Sequence, residues 1–148
     1  MQERQFRPEG NKERDFWLIN GQRDWATVPD GKINGFNGDL PIRLQVGNFG
    51  WGKKHIEKRH GHWLAKLGRT LAEVLHEKLG QPGQIYSTEE NDKIKIMMRL
   101  SPDALLVLRH VRHREYGDFF TVVTLYKQTG HIDGESIGRY DSSFRTES

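Results

Sequence analysis

The pattern of apolar and polar residues predicts the first strand near residue 40. Apolar residues alternate with Pro41 and two polar residues over residues 40–46, which is the two-residue period of a half-buried strand. Because proline cannot donate a backbone hydrogen bond, its presence indicates a strand at the edge of a sheet. Residues 1–39 combine charged and turn-forming residues with isolated aromatic residues, and we expect a coil-rich N-terminal arm there.

Two helices are predicted after this strand. Residues 53–67 place apolar residues at roughly helical spacing, with Gly61 as a candidate break. Thr70 and Glu73 have the spacing of a capping box, in which each side chain accepts the backbone N–H of the other residue. The apolar stripe that follows predicts a second helix over residues 71–79.

Four β-like segments complete the predicted domain, separated by the turn sequences EEND, SPD and EYGD. They span residues 84–87, 93–99, 104–113 and 119–127. Since short turns favour pairing between neighbours, we expect an antiparallel meander. The predicted fold class is α+β, with one or two N-terminal helices packed on a four- to five-stranded antiparallel sheet. We expect residues 40–148 to form a single domain behind the arm.

The composition limits what this domain can be. A chain of 148 residues has room for about one hydrophobic core. It contains no cysteine, which excludes disulfides, thiol nucleophiles and cysteine-ligated zinc. No apolar run reaches the roughly 18 to 20 residues of a membrane helix, and residues 1–25 lack the apolar stretch of a secretory signal. We therefore expect no membrane insertion.

Positive charge is concentrated in the middle of the sequence. The formal net charge is +3, and residues 51–80 hold seven Lys and Arg against three Asp and Glu. The segments on either side are balanced, with seven against seven before and nine against ten after. Such a local excess suits a polyanion such as RNA. A solvated basic face of a helix explains it equally well.

The sequence KKHIEKRHGHW, residues 53–63, contains three histidines and four cationic residues. Imidazole changes charge near neutral pH, and neighbouring cations can hold a phosphate. This combination suits cleavage of RNA without a metal, because the 2′-OH can attack the adjacent phosphate once one group removes a proton and another supplies one. The helix also has a plain structural interpretation, in which His60 or His62 merely interacts with the helix C-terminus.

A zinc site is the alternative use of these histidines. Together with His76 of the next predicted helix, they give four candidate ligands, namely His55, His60, His62 and His76. On a helix His55 and His60 lie about 140° apart around the axis, whereas ligand pairs prefer offsets of three or four residues. The spacing therefore favours a site without a metal.

The sequence RHVRHRE, residues 109–115, is a second cationic cluster late in a strand. Strict alternation places Arg109 and His113 on one face and His110 with Arg112 on the other. Either face presents a cation and an imidazole. A solvated strand end accounts for the same residues.

Hydroxyl groups near the end of the sheet form a third candidate feature. Thr124 and Tyr126 share a face under strict alternation, opposite to Thr121 and Lys127. Such hydroxyls can donate to a phosphate oxygen, although both residue types are ordinary in strands. GRYDSSF, residues 138–144, is predicted to be a loop or terminal segment.

The start of the predicted domain resembles the corresponding part of the barnase, EndoU, colicin D and RelE-like ribonuclease superfamily. The residues that carry this resemblance are LPIRLQVG followed by GWGKKHIEKRH. The resemblance is to toxin domains at the ends of phage head proteins and of delivered bacterial toxins, including contact-dependent-inhibition toxins, and covers about residues 40–127. It implies a catalytic His55, phosphate-binding Lys53 and Lys54, and a late hydroxyl at Thr124 with Tyr126 beside it. It further implies metal-independent cleavage to 2′,3′-cyclic phosphate and 5′-hydroxyl ends, often in tRNA.

The sequence therefore predicts a toxin-type endoribonuclease without cofactor or metal. Its catalytic residues would be His55, Lys54, Thr124 and Tyr126, and its substrate-binding residues Lys53, Arg59, His60, Arg109 and Arg112. The expected partners are RNA, with tRNA as one candidate, and a cognate immunity or antitoxin protein. The expected place of action is the cytoplasm, reached as part of a secreted or phage-borne polypeptide. The alternative is a non-enzymatic nucleic-acid-binding module or an interaction domain of a larger phage or secreted protein, with aromatic residues such as Trp51 and Trp63 as stacking surfaces.

Overall fold

The structure is a computed structural model that describes residues 5–88, 93–98, 104–115, 117–127 and 134–141. Within these residues the chain forms nine strands and two helices. In chain order they are β1 (Phe6–Pro8), β2 (Phe16–Ile19), β3 (Ala26–Val28), β4 (Leu40–Gln45), α1 (Gly52–Leu67), α2 (Leu71–Leu79), β5 (Gly83–Ser87), β6 (Lys93–Met98), β7 (Ala104–Val111), β8 (Phe119–Lys127) and β9 (Ser136–Tyr140).

Both helices form where the sequence predicts them. Thr70 Oγ1 accepts the Glu73 backbone N–H at 3.2 Å and Glu73 Oε1 accepts the Thr70 N–H at 2.9 Å, so the capping box is confirmed. Helix α1 runs through Gly61 without a break and ends at Gly68, whose φ of +67° is the left-handed conformation that glycine adopts freely. None of the described helices is long and apolar enough to cross a membrane.

The predicted meander is also present. Strands β5, β6, β7 and β8 pair in consecutive antiparallel order. Strand β8 has the predicted bounds, whereas β7 ends at Val111 rather than at residue 113.

The predicted four- to five-stranded antiparallel sheet is wrong. The sheet is larger and mixed, with the order β1-β2-β4-β8-β7-β6-β5-β9 and β3 paired to β4. Strand β4 lies inside it and runs parallel to β8, with Ile42 opposite Phe120. Its other edge is shared by β3 and β2, so Pro41 does not mark a sheet edge and instead lies opposite Thr27 of β3. Parallel pairing needs a long connection, and pairing between segments this far apart leaves no mark in local periodicity.

Residues 1–39, predicted to be a coil-rich arm, contribute β1, β2 and β3 to this sheet. The isolated aromatic residues hold them in place. Trp25 is buried, stacks on Phe6 at 5.5 Å between ring centroids, and donates its indole N–H to the Trp17 carbonyl at 2.9 Å. Strands of three or four residues are too short to show a period, which is why the pattern missed them.

The segment predicted as a C-terminal loop contains β9, which pairs with β5. Tyr140 at its end is fully buried and donates its hydroxyl to the Leu79 carbonyl at 2.5 Å. This burial raises the pKa of Tyr140. Strand β9 thereby connects the far edge of the sheet to the end of α2, and positions 142–144 of the predicted loop lie outside the described residues.

Candidate functional site

The glycine-rich loop between β4 and α1 fixes the start of the helix. Gly47 and Gly52 have φ values of +71° and +81° and approach each other closely, because a Cβ on Gly52 would lie 2.9 Å from the Gly47 Cα. Asn48 and Trp51 form a backbone bridge across the loop, and the Lys54 N–H donates to the Val46 carbonyl at 3.0 Å. Only glycine fits these two positions, so the GNFGWG sequence specifies this turn.

The loop also orients His55. Nδ1 of His55 lies 2.9 Å from the Phe49 carbonyl oxygen. Because a carbonyl only accepts hydrogen bonds, Nδ1 carries the proton, and Nε2 is the nitrogen that can exchange a proton with a ligand.

His55, His60 and Tyr126 form a cluster where α1 packs against β8. The His55 and His60 rings are 5.9 Å apart and nearly perpendicular, and His60 stacks on the Tyr126 ring at 5.1 Å. The two histidines are about 140° apart around the helix, and each is therefore about 70° from a common line along it. Side chains that lean toward that line can meet, which explains how two histidines five residues apart on one helix come into contact.

Burial and charge set the protonation of this cluster. Burial against Tyr126, together with the positive charges of His55 and Arg59, lowers the pKa of His60 below its ordinary value. Partial burial raises the pKa of the Tyr126 hydroxyl. At neutral pH the cluster therefore contains a neutral imidazole that can accept a proton, beside a tyrosine that stays protonated.

A β-bulge changes which side chains share a face of β8. Val107 lies opposite Thr124 but Leu108 lies opposite Val122, so Val123 is an extra residue. Residues directly opposite each other share a face, and the bulge therefore places Thr121 on the same face as Thr124 and Tyr126, where strict alternation placed it on the other.

A cleft of about 330 Å³ opens on this face. Its walls combine cationic, aromatic and neutral polar residues from the N-terminal segment, the β4–α1 loop, β7 and β8. The lining residues are Arg14, Phe16, Gln45, Trp51, Arg109, Val111, Arg112, His113, Phe119 and Thr121. Three arginines and one histidine thus face the cleft, and no carboxylate is found among the described residues that line it.

The end of β7 explains why Arg109 and Arg112 meet in this cleft. Alternation holds only to Val111, where the strand ends, so Arg112 and His113 turn toward the same space as Arg109. His110 lies on the opposite side, where it packs against Phe36 and pairs with Asp118 at 3.3 Å.

The lysines predicted to bind phosphate beside His55 are placed differently. Lys53 pairs with Glu57 at 2.6 Å and lies 4.0 Å from the centre of the Trp17 ring. Both Lys53 and Lys54 line a separate groove of about 250 Å³ that includes neither histidine. Arg59 is the cation that acts on His60.

The two predicted hydroxyls also differ from each other. Thr124 Oγ1 is buried and lacks a hydrogen-bond partner among the described residues, whereas Tyr126 is half-buried beside His60. Tyr126 is therefore the better candidate to contact a ligand.

Sequence reasoning missed Arg14 and Thr121 as members of this site. Arg14 comes from the segment predicted to be coil, where its backbone carbonyl accepts the Gln45 side-chain N–H at 2.8 Å. Thr121 was assigned to the wrong face because nothing in TVVTLYK marks the bulge. The GNFGWG sequence was a usable signal for the loop that orients His55.

No group of three or more His, Asp or Glu side chains converges as metal ligands would in the part of the chain that the structure describes. Comparison with family models, with curated proteins and with solved structures found no match to this chain. The resemblance to the ribonuclease superfamily stays a prediction, and the mixed sheet differs from the antiparallel sheet which that resemblance implied.

Proposed function

We propose that this chain is an endoribonuclease that cleaves RNA by attack of a 2′-OH on the adjacent phosphate. The observation that carries the proposal is the histidine pair: two imidazoles whose ring centroids are 5.9 Å apart, one of them stacked on a tyrosine. Two imidazoles can act as general base and general acid, and this chemistry does not require a metal.

The environments of the two histidines support different roles for them. His60 has a lowered pKa, so it is neutral at physiological pH and takes the proton of the 2′-OH as general base. The 2′-oxygen attacks phosphorus and the bond from phosphorus to the 5′-oxygen breaks. His55 acts in its doubly protonated form: one proton, on Nδ1, is held by the Phe49 carbonyl, and the other, on Nε2, passes to the departing 5′-oxygen. The products are a 2′,3′-cyclic phosphate and a 5′-hydroxyl.

Neighbouring groups support the negative charge that develops on the phosphate. Arg59 is exposed beside the histidine pair, and its cation is available to the phosphate oxygens. Tyr126 keeps its proton because burial raises its pKa, and its hydroxyl is a donor to the same oxygens. The ring of Tyr126 also stacks on the His60 imidazole, with 5.1 Å between the ring centroids.

The test is cleavage of RNA in EDTA by purified wild-type protein and three single variants, followed by analysis of the new ends. The variants His55→Ala and His60→Ala should each cleave RNA about 10² to 10⁴-fold more slowly than wild type, because this is the usual contribution of one acid or base group. His62→Ala is the matched control, because His62 is an exposed histidine of the same helix and should keep wild-type activity.

Cyclic phosphate ends that depend on both histidines would support the proposal. Activity that is lost in EDTA and restored by a divalent metal would contradict the mechanism. RNA binding without cleavage would favour the alternative, a non-enzymatic nucleic-acid-binding module. The toxin class, tRNA as substrate, an immunity protein and delivery to a target cytoplasm rest on the resemblance and stay predictions.

A further inference from the structure

The arginine-lined cleft includes Thr121, which shares a face of the sheet with Tyr126 of the histidine cluster, and it is not needed for the acid–base step. We propose that it is a subsite for single-stranded RNA, which binds the phosphate and base of a nucleotide beyond the two that flank the cleaved bond. This inference rests on the proposed function for the choice of RNA. It extends that function by assigning Arg14, Arg112 and Trp51 to substrate binding at a distance from the chemistry.

The charges in the cleft favour a phosphate. Arg14 and Arg112 are both exposed and form no ion pair with any described residue. By contrast, Arg43, which packs behind the cleft floor at 5.0 Å from the Phe119 ring, is neutralised by Asp24 at 2.6 Å. Because the described lining residues include no carboxylate, the positive charges of Arg14 and Arg112 suit an anionic ligand such as phosphate.

The shape and the aromatic walls favour a nucleotide over a simple anion. The volume of about 330 Å³ lies in the range of small-molecule sites, well above the size of one phosphate. Trp51 lines one wall, and Phe16 and Phe119 pack edge to face at 5.4 Å in the floor. An indole beside guanidinium groups suits a stacked base whose phosphate is held next to it.

The position of the cleft fits one continuous strand of RNA. Trp51 precedes His55 by four residues, so these residues lie about 6 Å apart along the axis of α1. On the sheet, Thr121 belongs to the cleft and Tyr126 to the histidine cluster. Their partners on β7 are Arg109 and Leu105, which are four residues apart and therefore about 13 Å apart along the strand. The cleft and the histidine cluster thus lie on one face, separated by a distance that a short oligonucleotide spans.

Arg14 is held in place by the fold rather than by a neighbouring charge. The Arg14 carbonyl accepts the Gln45 side-chain N–H at 2.8 Å, and the carbonyls of Asp15 and Glu13 accept the N–H groups of Val46 and Gly47, each at 2.8 Å. These backbone contacts do not involve the Arg14 guanidinium. Removing that side chain should therefore remove charge from the cleft and leave the segment attached.

Binding is measured by fluorescence anisotropy with a labelled single-stranded oligonucleotide that carries 2′-O-methyl groups and so cannot be cleaved. The cleft variant replaces Arg14 and Arg112 with alanine. The matched control replaces Arg7 and Lys66 with alanine and loses the same charge. Both are exposed cations outside the cleft that form no ion pair with any described residue. Urea denaturation confirms that both variants are folded.

The cleft variant should bind at least about 10-fold more weakly than the control, and its plot of log affinity against log salt should be less steep by about 0.7 for each lost phosphate contact. In cleavage assays it should have a raised KM for a long oligonucleotide. A dinucleoside monophosphate, too short to reach the cleft, should be cleaved as by wild type.

Equal affinity and equal salt slope in the cleft and control variants would overturn the subsite, as would a wild-type protein that does not bind the oligonucleotide. Binding that depends on the cleft but is not followed by cleavage would support the subsite and reject the proposed catalysis. Failure of the subsite and failure of the proposed function therefore give different results.

Discussion

Gly47→Ala tests whether the β4–α1 loop holds His55 in its catalytic position. Gly47 has a φ of +71°, and a Cβ there would lie 2.1 Å from the Trp51 carbonyl oxygen and 2.8 Å from the Gly52 Cα. Both obstacles are backbone atoms, so the loop itself must move. The carbonyl of Phe49, which accepts the His55 Nδ1–H, lies in the part of the loop that moves.

Gly68→Ala is the matched control. Its φ of +67° is almost the same, but a Cβ there meets no atom within 4 Å. The control therefore carries only the cost of placing alanine in the left-handed region, about 1–2 kcal/mol. Gly47→Ala carries this cost and also the cost of displacing the backbone of the loop. We therefore expect Gly47→Ala to reduce the free energy of unfolding by at least about 2 kcal/mol more than Gly68→Ala does.

Urea denaturation measures the free energies of unfolding, with the slope m checked for constancy. RNA cleavage is then compared under conditions where both variants remain folded. Gly47→Ala should also reduce the cleavage rate, because His55 loses its orienting hydrogen bond, whereas Gly68→Ala should not. If the two variants had the same stability within about 0.5 kcal/mol and the same activity, the close approach of this loop would not be what positions His55.

Two further predictions concern α1. Because the pKa of His60 is lowered, the acidic limb of the pH–rate profile should rise through a midpoint below 6.5. NMR titration of the His60 ring in the His55→Gln protein should show a higher midpoint than in the wild-type protein, because the neighbouring positive charge is lost. The unfolded chain binds a proton on His60 before the folded one does, so this residue lowers the free energy of unfolding as pH falls below 6.5. Gly61→Ala should raise the free energy of unfolding by about 0.5–1 kcal/mol, because Gly61 lies inside a continuous helix and a Cβ there meets no atom within 4 Å. The urea midpoint should rise accordingly, and an unchanged or lower midpoint would contradict this prediction.

The local sequence determined those parts of the protein whose signals lie within a few residues of each other. The capping box at Thr70 and the stripe that follows it predicted α2 with its observed bounds. Short turns and β-forming segments predicted the meander from β5 to β8. The concentration of His, Lys and Arg in residues 53–63 identified the helix that bears the histidine pair. Periodicity, capping and turn chemistry are local interactions, and a sequence records them directly.

Only the tertiary structure decided the mixed sheet and the composition of the site. The parallel pairing of β4 with β8 joins segments more than seventy residues apart, and the bulge at Val123 appears only when β7 and β8 are aligned. Arg14 reaches the cleft because the N-terminal strands pack beside β4. Such pairing depends on which surfaces bury each other in the whole chain, and local hydrophobic patterns do not encode it.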